Sequence, residues 1–294
     1  MKAKISLAKS PTHKEGVTKT LDGVREQLET KLSEIDELTI KINFVKVEPE
    51  LATTPFEAVK HFIEYIRPFY KKEIIIAEQA SFGSTSNGFK KYGFTELAES
   101  DPEIRLLNLG KDKGLKKEIK YNGGSLNLSI SKTMVETPFL VSITRPKTHN
   151  TVVVTLGVKN VLVGAIQGAF VQRKKIHQDM AIHEIMTTIA EFSYPDFVLL
   201  DGTEGMEGNG PTKGSPKKAG WSIASFDALA ADTLAANLMG FKLDDIGYFN
   251  MLKDKGFGKT YPVDEIEITG ETPQNLISPF KPHDTFEEQK NWKQ

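Results

Sequence analysis

Leu38-Thr39-Ile40-Lys41-Ile42-Asn43-Phe44-Val45 is rich in β-branched and apolar residues and predicts a strand. Pro55 then suits the first turn of a helix over 55–69, with Thr54 as its candidate N-cap. Glu73-Ile74-Ile75-Ile76-Ala77-Glu78 predicts a second, short, buried strand. Upstream, residues 4–7 read as a strand. Residues 16–32 read as one amphipathic helix with Val17, Leu21, Val24, Leu28 and Leu32 on one face. Strand–helix–strand–helix–strand predicts parallel pairing through right-handed crossovers.

The alternation returns further along. Residues 139–144, 197–200 and 221–225 read as strands, and 155–166, 176–192 and 228–239 as helices. Residues 244–255 read as helical and 264–268 as a late strand. Between the halves, 81–88 reads as a loop directly after a strand, where open α/β sheets bind ligands. Residues 104–108 and 125–130 read as strands flanking a lysine-rich stretch at 111–120 and a turn at Asn122-Gly123-Gly124. The expected fold is α/β: a mostly parallel open sheet with flanking helices and a small inserted β-rich subdomain near 100–137. Residues 1–270 would form one domain, and the proline-punctuated 271–294 an extended tail.

The chain has 294 residues and no cysteine, which excludes disulfides, a thiolate nucleophile and a Cys-ligated cluster within it. Lys+Arg number 38 against 39 Asp+Glu, which argues against a dominant nucleic-acid footprint. Lysines outnumber arginines 33 to 5, so an anion site must lean on lysine and backbone N–H groups. The N-terminus lacks the pattern of a signal peptide, and no stretch approaches the roughly 18 apolar residues of a membrane span. The expectation is a cytoplasmic protein with no membrane segment.

Three segments interrupt the pattern. Arg145-Pro146-Lys147-Thr148-His149-Asn150 follows a strand and precedes a helix that is apolar all round except for Lys159 and Asn160. A lysine there requires a carboxylate, an anionic ligand or a wet cavity. A structural ion pair and a site role are both open for it. Residues 202–214 place five glycines in 13 positions directly after Asp201, permitting close backbone approach and an anion-binding nest at Gly208, Asn209 and Gly210. Named phosphate loops do not fit: Pro211 follows Gly210 where a Walker A loop needs lysine, and Lys213 stands where a dinucleotide fingerprint needs glycine or alanine. Asp201, Glu204 and Glu207 could hold a divalent cation or pair with the buried lysine. Finally, Asp227 suits an N-cap, whereas Asp232 is the sole charge in an alanine-rich helix and needs a buried partner, with Lys159 or Lys147 the obvious choices. His177 and His183 fall between these segments, and their spacing allows at most one in the site. His183-Glu184 is not a zincin motif, because Thr187 stands where the second histidine belongs.

Together these segments resemble the domain-of-unknown-function family 362. The resemblance lies in Lys147-Thr148-His149, the Thr155 to Asn160 run, Lys175-Ile176-His177 and Asp201-Gly202. It continues in Glu207-Gly208-Asn209-Gly210-Pro211 and the Ser225 to Asp232 run. Upstream, Lys41-Ile42-Asn43 and Thr53-Thr54-Pro55 are similar to the family's Lys-Pro-Asn and Thr-x-Pro elements, with Ile42 replacing the proline. The resemblance implies an α/β fold and no settled reaction. Relatives often carry two ferredoxin-like iron–sulfur motifs, which implies redox work; with no cysteine here, electron transfer would need a separate partner.

The residues predict one composite site for a small carboxylate- or phosphate-bearing ligand, its cofactor unknown. Lys147, Asn160, Glu204, Gly208, Asn209, Gly210 and Asp232 would line it. His149, Lys159, His177 and Asp201 would carry acid–base chemistry, with Asp201 or Glu204 orienting a histidine. Two alternatives remain: a non-catalytic binding or redox-accessory protein, and a divalent-metal-dependent hydrolase or transferase using Asp201, Glu204, Glu207 and His177.

Overall fold

The structure is a computed structural model describing residues 2–177 and 181–293. Its strands in chain order are β1 (Ala3–Lys9), β2 (Glu37–Lys41), β3 (Glu73–Glu78), β4 (Ile104–Asn108), β5 (Gly114–Tyr121), β6 (Gly124–Ser131) and β7 (Leu140–Thr144). Then come β8 (Lys147–Thr148), β9 (Val154–Thr155), β10 (Phe197–Gly202), β11 (Gly205–Glu207), β12 (Ser215–Lys217), β13 (Trp221–Ser225) and β14 (Ile266–Gly270). Eight form one sheet, ordered β14-β1-β13-β10-β7-β2-β3-β4. β13 alone runs antiparallel to its neighbours; the other adjacent pairs are parallel. The mostly parallel α/β fold expected from the alternation is therefore present.

The sheet is covered on both faces, so its strands read as apolar runs. In β3, Ile75 and Ala77 enter one core while Ile74 and Ile76 enter the other. From β2 the chain steps outward to β3 and β4. It returns to the other side of β2 at β7 and proceeds to β10. The direction of winding thus reverses between β2 and β7, and such a switch point opens a crevice at the carboxyl ends of the strands. Chain continuing past the ends of β7 and β10 forms a four-stranded sheet ordered β12-β11-β8-β9.

Several local expectations change. Residues 16–32 form two helices, His13–Asp22 and Arg25–Ser33. At the junction, a Cβ on Gly23 would meet Ser6 Oγ at 2.2 Å, so the chain passes β1 too closely for a larger residue. Thr54 does not cap the helix Phe56–Ile66, whose N-cap is Pro55. Its hydroxyl accepts from Asn43 N and donates to Ile143 O, both at 2.8 Å, tying the end of β2 to β7. Part of the 81–88 loop is helix Thr85–Lys91, capped by Ser84. The expected helix over 176–192 is replaced by Ala169–Ile176 and Ile182–Ile189; its residues 178–180 lie outside the described ones.

The strand at 104–108 joins the main sheet as β4, while the lysine-rich stretch supplies β5, which pairs with β6 in a separate two-stranded sheet. Residues 271–292 are mostly exposed or half-buried and carry the short helical segments Pro273–Leu276, Phe286–Gln289 and Lys290–Lys293, with Leu276, Phe280 and Gln289 buried. Among the described residues no helix is long and apolar enough to cross a membrane.

Candidate functional site

A cavity of about 520 Å³ lies at the β2/β7 switch point. The ends of β2 and β3 bring Lys41, Asn43 and Glu78 to it, and the helix Gly157–Gly164 brings Lys159 and Asn160. That helix is buried along its whole length because it is apolar on every side and packs between the sheet and the helices beyond.

Lys41 and Glu78 form a direct ion pair, and Glu78 Oε1 also accepts from Phe44 N at 3.1 Å. Asn160 locks the pair in place. Its Oδ1 accepts from Lys41 Nζ and Asn43 Nδ2, both at 3.1 Å. Its Nδ2 donates to Lys41 O and Ser142 Oγ, both at 3.0 Å. All the hydrogen-bonding capacity of this buried amide is used, as a stable interior network requires. A Cβ on Gly164 would lie 2.4 Å from Lys41 Cε, so only glycine leaves room for the lysine there.

Lys159 is different. It lines the cavity, is 6% exposed, and among the described residues its amine has no hydrogen-bond or ion-pair partner. Burial, reinforced by nearby Arg173, lowers its pKa to about 7. Among the described lining residues Glu78 is the single carboxylate, alongside Lys41, Lys159, Arg173, Lys174 and Lys213. Arg173 sends its guanidinium to Gln79 O, Gly164 O and Ser81 Oγ, which rigidly fixes a cation in the wall.

His149 and His177 face the same cavity with ring centroids 5.5 Å apart. His149 Nδ1 accepts from Thr151 N at 3.0 Å, so its proton sits on Nε2. His177 Nδ1 lies 2.6 Å from Arg173 O; a carbonyl only accepts, so Nδ1 carries that proton and neutral Nε2 keeps its lone pair. Both rings are held neutral. Burial, aided by Lys159, lowers His149 well below the usual histidine range and His177 to about 4. One imidazole is therefore a donor and the other an acceptor. The loop bearing His149 is fastened by Gln289, which donates to His149 O at 3.0 Å and accepts from Val153 N. Val153 has φ +66°, a conformation that a β-branched residue adopts only under constraint.

The other predicted site residues lie elsewhere or are engaged. Lys147 is fully buried and held by Asn43 Oδ1 and Ala52 O, and it does not line the cavity. Asp232 pairs with neither lysine: its oxygens accept from Gly157 N and Val158 N at 3.0 and 2.8 Å. The positive end of the neighbouring helix stands where the sequence suggested an ammonium. Burial pushes the Asp232 pKa up to about 8.

Asp201 orients no cavity histidine. Its partner is His13, at 2.5 Å, together with the Thr203 backbone and hydroxyl. Glu204 lies 3.6 Å from Arg145. Glu207 accepts from Lys281 N at 2.9 Å. Among the described residues these acids and His177 form no cluster that could cage a metal.

The anion nest does not form either. Gly208 N donates to Lys281 O and Gly210 N to Gly208 O, while Asn209 pairs with Asp284. Gly210 does line the cavity, its backbone packed so closely on Thr148 that a Cβ would lie 2.4 Å from Thr148 O. Of the two helix histidines, His177 reaches the cavity and His183 is buried beside Tyr248, accepting from its N–H.

Lys41, Glu78 and Arg173 are site residues that sequence reasoning left out. The usable signal for the first two was a pair of opposite charges at the ends of apolar strands that pair in parallel.

The fold and cavity define an α/β protein with a cation-lined chamber at its sheet's switch point. The chain belongs to the family described as domain of unknown function DUF362, whose match spans residues 38–237. The thylakoid-associated protein sll1697 of Synechocystis sp. (strain ATCC 27184 / PCC 6803 / Kazusa) is 27% identical over 205 residues. That alignment covers 69% of this chain and 61% of the relative, so the chain spans less than two thirds of the relative's length. Among solved structures, the lactate racemase apoprotein of Thermoanaerobacterium thermosaccharolyticum matches with TM-score 0.47 and 18% identity, over 66% of this chain and 49% of that one. A Thermotoga maritima protein matches with TM-score 0.42 and 11% identity, over 71% and 56%.

Proposed function

We propose that the chain is an enzyme that binds a small carboxylate- or phosphate-bearing molecule in the switch-point cavity and moves protons on it. The observation that carries this reading is the charge of the lining: among the described residues Lys159, Arg173 and Lys213 face it beside the Lys41–Glu78 pair, and Glu78 is the single carboxylate. Such a lining favours an anion of a size suited to about 520 Å³. The side chains supply the attraction, since the amides of Gly208, Gly210 and Lys213 are spent on backbone carbonyls.

Catalysis is favoured over passive binding by the protonation states. A charged, paired lysine would serve to hold an anion. Among the described residues Lys159 is unpaired, and it lies near its titration point beside one histidine that donates and one that accepts. That set suits Lys159 as the group that gains and loses a proton near neutral pH, with one imidazole N–H to donate a hydrogen bond and one imidazole lone pair to accept.

Native mass spectrometry of the purified chain, followed by extraction of what it retains, tests the reading. The expected result is a small anion bound at one per chain and lost in Lys159→Met. Retention unchanged in that variant, or no stabilisation of the wild type by millimolar phosphate or short carboxylates in thermal unfolding, would count against it.

A further inference from the structure

We infer that Lys159 is a covalent site, whose amine condenses with the carbonyl carbon of a small anionic aldehyde or ketone to form an imine. The inference rests on the anion-binding reading of the same cavity and specifies the ligand further.

Three buried lysines surround this region, and the structure uses them differently. Lys41 is committed to Glu78 and Asn160. Lys147 is committed to Asn43 and Ala52 O. Lys159 alone of the three faces the cavity with its nitrogen unengaged among the described residues. A free amine in a walled chamber is an expensive arrangement if its task is only to carry charge. It is suitable for a nucleophile, which must present a lone pair and be shielded from bulk water. Arg173 contributes doubly: its fixed positive charge disfavours protonation of Lys159, and it offers the ligand's anionic group a counter-charge. The lowered pKa of about 7 agrees with a substantial neutral fraction at physiological pH.

The step balances with groups already present. The Nζ lone pair attacks the carbonyl carbon, a C–N bond forms, and the π pair moves onto oxygen. His149 Nε2–H is the donor available to that oxygen, and the His177 Nε2 lone pair is the acceptor available for a proton leaving nitrogen. The carbinolamine then loses its oxygen as water while the C=N bond forms. One amine and one carbonyl give one imine and one water, with no oxidant or reductant. The two protons that leave Nζ pass in turn through His177 Nε2 to the carbonyl oxygen, which departs as water, while His149 Nε2–H holds that oxygen by a hydrogen bond and keeps its proton.

The test uses the full chain with glyoxylate as the probe, in the presence of sodium cyanoborohydride at neutral pH, followed by peptide mapping. An exposed lysine has roughly one neutral amine in 10³ at pH 7, so labelling of Lys159 should exceed that of surface lysines by on the order of a hundredfold. Inorganic phosphate should suppress the label at Lys159 and leave surface labelling unchanged. Labelling spread over surface lysines with Lys159 unmodified would overturn the inference in the wild type, with no dependence on how a variant folds. Phosphate and acetate are also scored by thermal unfolding. Stabilisation by these anions without a Lys159 adduct removes the imine and leaves the anion pocket standing. Absence of stabilisation removes both.

Discussion

Lys41 and Glu78 meet in a buried ion pair at the ends of neighbouring parallel strands, with Lys41 in register with Ala77 and Glu78 one residue further on. The pair forms part of the cavity wall, so breaking it exposes the wall's dependence on charge balance. Glu78→Gln leaves an ammonium without its counter-ion and should destabilise the fold by about 3–5 kcal/mol. Lys41→Met combined with Glu78→Leu should recover most of that loss, because a well-packed apolar pair avoids desolvating two charges. Urea denaturation of the two variants reads the difference; equal losses would show that the charges are not coupled.

Anion affinity should depend on pH through Lys159. In the free protein its pKa is lowered to about 7. A bound anion favours the ammonium form, so binding takes up a proton as pH rises past that value. Affinity should be greatest below pH 7 and fall by up to about tenfold per pH unit above it. Calorimetry in buffers of different ionisation enthalpy measures both the affinity and the proton uptake. A flat profile in the wild type would argue that Lys159 does not sense the ligand.

Asp232 is expected to be structural. Its two oxygens accept from the first two N–H groups of the helix Gly157–Gly164, behind the cavity. Asp232→Asn turns an amide donor toward one of those N–H groups, costing about 1–3 kcal/mol. Anion affinity of the folded fraction should change little. A selective loss of affinity with unchanged stability would return Asp232 to the site.

The His13–Asp201 pair should give a defined window of pH-dependent stability. Its short hydrogen bond raises the His13 pKa above 6.5, and the same contact, with Thr203, holds Asp201 below 3.8 despite burial. The histidine contribution is fully present below pH 6.5 and is lost as pH rises through the raised value. The aspartate contribution is present above pH 3.8 and is lost as pH falls through the lowered value. His13→Ala should therefore cost most between these limits, read as the difference in melting temperature from wild type. A difference constant across that range would argue against the pair being charged.

The extent to which the sequence determined these features varied with how local each one was. Glu73–Glu78 and Trp221–Ser225 were legible to the residue, because short apolar runs with clear ends depend on neighbours in the chain. The break at Gly23 was not: Val24, Leu28 and Leu32 remain buried on the far side, so the apolar stripe continues across it. Lys159 stood out because a charge in an all-apolar helix conflicts with its surroundings. Lys41 did not, since a lysine near a strand end normally reaches solvent; its burial comes from the helix laid over it, which carries Asn160 and Gly164. Asp232 was recognised as needing a partner, but backbone N–H groups leave no mark in a sequence, so lysine was the wrong choice.

The Gln289 contact also bears on how the protein comes into being. The carbonyl of His149 is secured by a side chain 140 residues later in the chain. A ribosome adds roughly 5–20 residues per second, so the wait is roughly 7–28 s. For that interval the emerging polypeptide holds the loop of His149 without its clasp. The chamber is without its finished His149 loop until Gln289 has been made and can dock.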